Sequence, residues 1–116
     1  MTKFKNNIFI ERESFSERVV RLALLIPKGR VSTYGRIARA AQGGNVASRC
    51  ITGILGAASR NGVKNIPFHR IVYTDGQIWL NNKFKKERLK KYKDEKIIID
   101  NKGKIKDFNN KVFNFI

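Results

Sequence analysis

One segment constrains this chain more than any other: a helix expected to start at an Asn45 cap and run to about Arg60. Val46, Cys50, Ile51, Ile54, Leu55 and Ala58 recur at helical spacing and form an apolar stripe. The opposite stripe reads Arg49, Gly53, Gly56, Arg60. Each glycine inside a helix costs about 1 kcal/mol relative to alanine, so something must offset that cost. Close approach of another backbone is the usual reason. That backbone belongs either to a neighbouring helix or to a nucleic acid, and the flanking arginines favour the latter.

The preceding sequence fits this helix into a known outline. Ser14 and Glu17 form a capping box, after which Phe15, Val19, Leu22, Ala23 and Ile26 fall on one helical face. Pro27 and Gly29 end that helix. A second, short helix beginning at Ser32 or Thr33 carries Ile37, Ala38 and Ala41 inward, and Gln42-Gly43-Gly44 makes a turn. Helix, short helix, glycine turn and helix outline a helix-turn-helix. Beyond it, Ile66 to Tyr73 reads as a strand, Asp75-Gly76 as a turn, and Gln77 to Leu80 as a second strand or loop edge. That pair would be the wing. The expected fold is mainly α with a small β wing, a winged helix-turn-helix. Phe84 to about Lys93 reads as a helix anchored by Phe84, Leu89 and Tyr92. Ile97 to Ile99, the Asn101-Lys102-Gly103 turn and Ile105 suggest a terminal hairpin. Residues 1–13 read as an N-terminal arm, 14–100 as the domain, and 101–116 as an extension whose apolar end, Val112 to Ile116, docks on it.

Charge narrows the partners. The formal net charge is +16, which calls for an anionic partner or a heavily solvated surface. From Pro27 to Leu80 eight basic residues face one acid, Asp75, and six of the eight are arginine. Arginine presents a planar fork suited to phosphates and bases. The lysine-rich end, interleaved with acids, reads equally as biased composition. A single cysteine excludes an internal disulfide, and a reducing, cytoplasmic setting is the expectation. The longest apolar run, Leu22 to Ile26, is too short to span a membrane, and the N-terminus lacks the apolar stretch of a signal peptide.

Three stretches then stand together: Ile26-Pro27-Lys28-Gly29-Arg30-Val31-Ser32-Thr33-Tyr34-Gly35-Arg36-Ile37-Ala38, Ser48-Arg49, and Ile66-Pro67-Phe68-His69-Arg70-Ile71-Val72. In this order they closely resemble the DNA-binding domain of the O6-alkylguanine-DNA alkyltransferases, over about residues 14–95. That family's signature is Pro-Cys-His-Arg. Here it is Pro67-Phe68-His69-Arg70. Transfer of an alkyl group needs a thiolate, and a phenyl ring has no lone pair to offer. The chain therefore resembles the alkyltransferase-like proteins, which bind the lesion without repairing it and mark it for nucleotide-excision repair.

The resemblance implies double-stranded DNA with alkylated guanine as ligand, nucleotide-excision repair proteins as partners, a monomer, and no cofactor or metal. It implies that Tyr34, in its Thr33-Tyr34-Gly35 setting, turns the target nucleotide out, and that Arg49 fills the gap. Gly53 and Gly56 would let the helix enter a minor groove about 6 Å wide. Pro67, Phe68, His69, Arg70, Trp79 and Leu80 would form the lesion pocket. Phe68 has a second reading as a plain core residue, and Trp79 as a wing residue packed on the helix that follows. His69 would relay a proton to a glutamate placed between Lys93 and Glu95; without the cysteine, its expected role is to hold the pocket by hydrogen bonds. Asn61 or Asn65 would be the hinge asparagine. Cys50, on the apolar stripe, is expected to be a buried core residue and not an acceptor. The alternative function is a general winged-helix DNA binder or regulator without lesion specificity.

Overall fold

The computed structural model describes residues 13–44, 47–80 and 82–115. Most of the N-terminal arm, the Asn45 cap, Val46 and Ile116 lie outside them. Helix α1 (Phe15–Leu24) starts at the expected capping box: the Glu17 amide donates to Ser14 Oγ at 3.1 Å, and the Ser14 amide to Glu17 Oε1 at 2.8 Å. Its apolar face buries Val19, Leu22 and Ala23. A two-residue strand, β1 (Ser32–Thr33), leads into α2 (Tyr34–Ala40), and the Thr33 hydroxyl caps α2 by accepting from the Arg36 amide at 3.1 Å. Gly43 makes the turn after α2 possible, because a Cβ there would lie 2.5 Å from Ala47 Cβ and 2.7 Å from the Phe15 ring. A 3-10 turn, Ala47–Cys50, then feeds α3 (Ile51–Arg60).

The second half is less regular. Phe68–Arg70 forms a 3-10 turn, followed by β2 (Ile71–Val72), α4 (Lys85–Asp94) and the short α5 (Phe108–Lys111). β1 and β2 pair in parallel, Ser32 with Ile71 and Thr33 with Val72. This small pairing divides two cores. Alternation along a strand sends neighbouring side chains to opposite faces. Ile71 enters the cluster built by α1, α2 and α3, while Val72 joins Val31, Ile78, Tyr92, Ile97 and Ile105 in a second cluster. The end of the chain closes on the body: Val31 bridges Val112, the Phe113 amide donates to the Val31 carbonyl at 2.7 Å, and Phe113 and Phe115 pack on the first cluster.

Several expectations need correction. The strand foreseen over Ile66–Tyr73 shrinks to Ile71–Val72, because Pro67 lacks an amide proton and the 3-10 turn after it consumes the next residues. The Asp75-Gly76 turn forms, with the Gly76 amide on the Tyr73 carbonyl at 2.8 Å. Its far arm, however, pairs with the C-terminal hairpin: Gln77 bridges Lys104, and Ile99 bridges Ile105. Cys50 is exposed, not buried. It ends the 3-10 turn, whose tighter winding of three residues per turn rotates it off the α3 stripe. In α4 Tyr92 alone of the three foreseen anchors is buried; Leu89 and Phe84 are 37% and 40% exposed.

Candidate nucleic-acid interface and base cavity

The sequence pattern of α3 has a direct structural counterpart. Ile51 and Leu55 are buried, while Gly53 is exposed. Among the described residues nothing lies within 4 Å of where a Cβ at Gly53 would stand, and at Gly56 only the flexible Arg60 guanidinium does, at 3.4 Å. No helix among the described residues explains these glycines. The strip between Arg49 and Arg60 is an open, side-chain-free surface, free to receive something from outside.

Beside this surface a cavity of ≈ 550 Å³ opens between α2, the start of α3, the 3-10 turn at Phe68 and α4. Tyr34, Gly35, Arg49, Phe68 and Trp79 all line it. Tyr34 is the first residue of α2, held there by the Thr33 cap, and its ring centroid is 5.5 Å from that of Tyr73. Burial pushes the Tyr34 phenol above its usual value, against a hydrogen bond with Thr52, so it is a neutral donor at physiological pH. Arg49 is exposed at the rim. Phe68 is half-buried: it packs against the first core cluster and also lines the cavity. The residue is therefore part of the core and of the cavity wall at once. Trp79 is 39% exposed on the cavity lining.

Other expected site residues stand elsewhere. Thr33 is buried as the cap of α2, Pro67 is buried before the Phe68 turn, and Leu80 packs on the second core cluster. Gly53 and Gly56 belong to the open face of α3. His69 and Arg70 sit behind the cavity wall. Asn61 ends α3, and Asn65 takes a left-handed backbone with φ of 65°.

The glutamate that faces His69 is Glu95, at the C-terminal end of α4. His69 Nε2 lies 2.6 Å from Glu95 Oε2, and Arg70 reaches the same carboxylate through Nη2 at 2.8 Å and Nε at 3.0 Å. The Gly29 amide donates to Oε1 at 3.0 Å, while Arg70 Nη1 donates to the Ile26 carbonyl at 2.9 Å. Burial works against the Glu95 charge. Hydrogen bonds from Arg70, His69 and Gly29 outweigh it together and hold the carboxyl down at about 2. Burial also pushes the His69 imidazole below its usual value, opposed by the bond to Glu95. The neutral ring, protonated on Nε2, is the donor.

The sequence reading gave no site role to eight residues of the cavity lining, among them Arg39, Thr52, Tyr73 and Arg88. Arg88 carried a usable signal, since it lies one helical turn before the buried Tyr92 and so on the same side of α4. Tyr73 and Thr52 carried none. Among the described residues no group of three or more His, Cys, Asp or Glu could hold a metal ion, and no helix is long and apolar enough to cross a membrane.

Known proteins resemble this chain in sequence and in fold. Residues 14–97 match the family model of the 6-O-methylguanine DNA methyltransferase DNA-binding domain. The chain is 30% identical over 95 residues to the DNA base-flipping protein of Escherichia coli (strain K12), covering 82% of this chain and 71% of that protein, and matches its Shigella flexneri counterpart to the same extent. Among solved structures it is similar to S. pombe Atl1 in complex with damaged DNA containing O6-carboxymethylguanine. The TM-score is 0.65 at 20% identity, over 86% of this chain and 94% of that one.

Two outcomes follow from the geometry. Gly53→Ala should raise stability by about 1 kcal/mol, read from the midpoint of urea unfolding, because the helix gains and nothing is displaced; a loss would mean that an unseen neighbour needs the space. The second concerns acid. Both folded values are depressed, so each group contributes stability above its unfolded value and loses it as pH falls through the folded one. The His69 contribution fades below about 6.5, and the Glu95 contribution between 4.5 and about 2. Thermal melts of Glu95→Gln should start lower at neutral pH and decline less than the parent between those last two values.

Proposed function

Because the chain belongs to the family of the 6-O-methylguanine DNA methyltransferase DNA-binding domain, we propose that it binds DNA carrying O6-alkylated guanine. It turns the damaged nucleotide into the cavity beside Tyr34 and leaves the alkyl group in place. One observation carries this reading: Tyr34 and Arg49 flank a cavity of ≈ 550 Å³ whose wall, at the acceptor position, is Phe68. Pockets of roughly 300–1,000 Å³ suit ligands of this class.

The energetics are consistent. Extruding a nucleotide costs a few kcal/mol, and least for a damaged one. Stacking a base on an aromatic surface returns about 1–3 kcal/mol, and Phe68 and Trp79 offer such surfaces. Arg49, standing at the rim, can occupy the gap left in the stack. The Gly53–Gly56 strip lets α3 approach a narrow groove without side chains in the way. A net charge of +16 supplies the attraction to phosphates that brings any duplex in.

Alkyl transfer is not part of this function. The transfer needs a thiolate in the cavity wall, and the chain's one cysteine, Cys50, borders a separate groove between α1 and α3 instead of the cavity. A reader that leaves the lesion in place has to hand it on, and nucleotide-excision repair proteins are the partners such a role requires. One copy of the chain is the functional unit in this reading, with Tyr34, Arg49, Phe68 and Trp79 meeting at one cavity.

A short duplex with one O6-methylguanine should bind at least about tenfold tighter than its guanine twin, a difference of about 1.4 kcal/mol. Tyr34→Ala and Arg49→Ala should bring that ratio towards one, and the protein mass should not change on incubation with the lesion. A binder that merely holds phosphates would lose affinity uniformly for both duplexes.

A further inference from the structure

Arg88 has no role in the account so far, yet it lines the cavity. Its guanidinium carbon lies 5.1 Å from the centroid of the Trp79 ring, a cation–aromatic contact that fixes the orientation of both. Its Nη1 stands 3.5 Å from the Phe68 carbonyl oxygen, at the outer limit of useful geometry. The group is thus half-buried and held at the same wall as Phe68.

Its charge is not balanced. Among the described residues no Asp or Glu lines the cavity, while Arg39 and Arg49 do. Among the described residues the carboxylates pair elsewhere: Glu87 with Lys91, Asp94 with Lys90, Asp75 with Lys104, and Glu95 with His69 and Arg70. The phenols closest to Arg88 cannot supply a counter-charge, since burial pushes Tyr92 up to about 12 and raises Tyr34 as well. A cavity with three guanidinium groups and no acid favours an anionic occupant. A guanidinium meets a carboxylate best, through two parallel N–H···O bonds.

We propose that Arg88 is a specificity-determining residue that makes the cavity prefer guanine adducts ending in a carboxylate over neutral adducts of the same size. The inference rests on the base-flipping reading above and goes beyond it in naming the chemical class of adduct. Trp79 presents the guanidinium, and the Phe68 wall sets the depth at which the O6 substituent meets it. A methyl group gains only apolar contact there, and a neutral amide cannot complete the charge-assisted pair.

The test compares four duplexes of one sequence, carrying guanine, O6-methylguanine, O6-carboxymethylguanine or its neutral isostere O6-carbamoylmethylguanine, at one fixed salt concentration. The protein should bind the carboxymethyl duplex about tenfold tighter than the carbamoylmethyl one. Arg88→Gln should reduce that ratio to below about threefold, and Arg88→Lys, which keeps the charge without the fork, should fall between. The ratio within each variant cancels any general loss of affinity or of folded protein. Equal binding of acid and amide, with methylguanine still preferred over guanine, would overturn the inference and leave base flipping standing. So would an unchanged ratio in Arg88→Gln with all affinities uniformly lower, which would make Arg88 a phosphate contact. No preference for any adduct over guanine would remove both.

Discussion

The carboxylate of Glu95 ties this molecule together. It is 8% exposed at the end of α4, and it receives hydrogen bonds from His69, Arg70 and the Gly29 amide. A buried ion costs several kcal/mol to desolvate and persists only where its lone pairs are satisfied. Here they are, by groups from two distant parts of the sequence. The same Arg70 goes on to hold the Ile26 carbonyl just beyond α1. The knot thus fixes the turn after α1, the 3-10 turn that carries Phe68, and the helix that carries Arg88. Those are three of the elements that set the position and shape of the cavity. In a transferase such a pair could serve a nucleophile. With Phe68 in the wall there is no thiol to deprotonate, and the remaining work of the pair is to brace the wall.

Around this brace the chain separates rigidity from access. The core face of α3 buries Ile51 and Leu55, while its outer face carries Gly53 with nothing described against it and Gly56 with only the flexible Arg60 guanidinium nearby. Two good helix formers there would make a more stable protein. The cost is tolerable because α3 packs on both α1 and α2, so tertiary contacts hold the helix. A surface left bare at the expense of stability, with an arginine at each end, fits the proposed approach of a nucleic-acid backbone. In the proposed function the excess of positive charge works at longer range and the cavity at shorter range, so attraction, groove entry and base capture are assigned to different residues.

Local rules carried most of the first half of the fold. The Ser14–Glu17 box, the Thr33 start of α2 and the two faces of α3 all depend on side chains within a turn or two of each other, and such relations are written in spacing. Cys50 was misjudged because a 3-10 turn before α3 breaks the period that the stripe assumes. The wing was misjudged for a different reason. Short strands take partners from far along the chain, and nothing local shows that β2 pairs with Ser32–Thr33 or that Gln77 pairs with Lys104. The site divides the same way. Tyr34, Arg49 and Phe68 were legible through the motif that contains them. The choice of Glu95 over Lys93 needed the winding of α4, and the place of Arg88 beside Trp79 needed two loops and a helix to meet in space.

The central claim is that a guanine leaves the stack and enters the cavity. It can be observed directly with pyrrolocytosine, a fluorescent cytosine analogue that brightens when its partner guanine is removed. Placed opposite a single O6-methylguanine, it should brighten on addition of saturating protein, and far less so opposite guanine. Unchanged fluorescence at saturation, with binding confirmed on the same sample, would contradict the account, because the damaged base would then be held without being turned out.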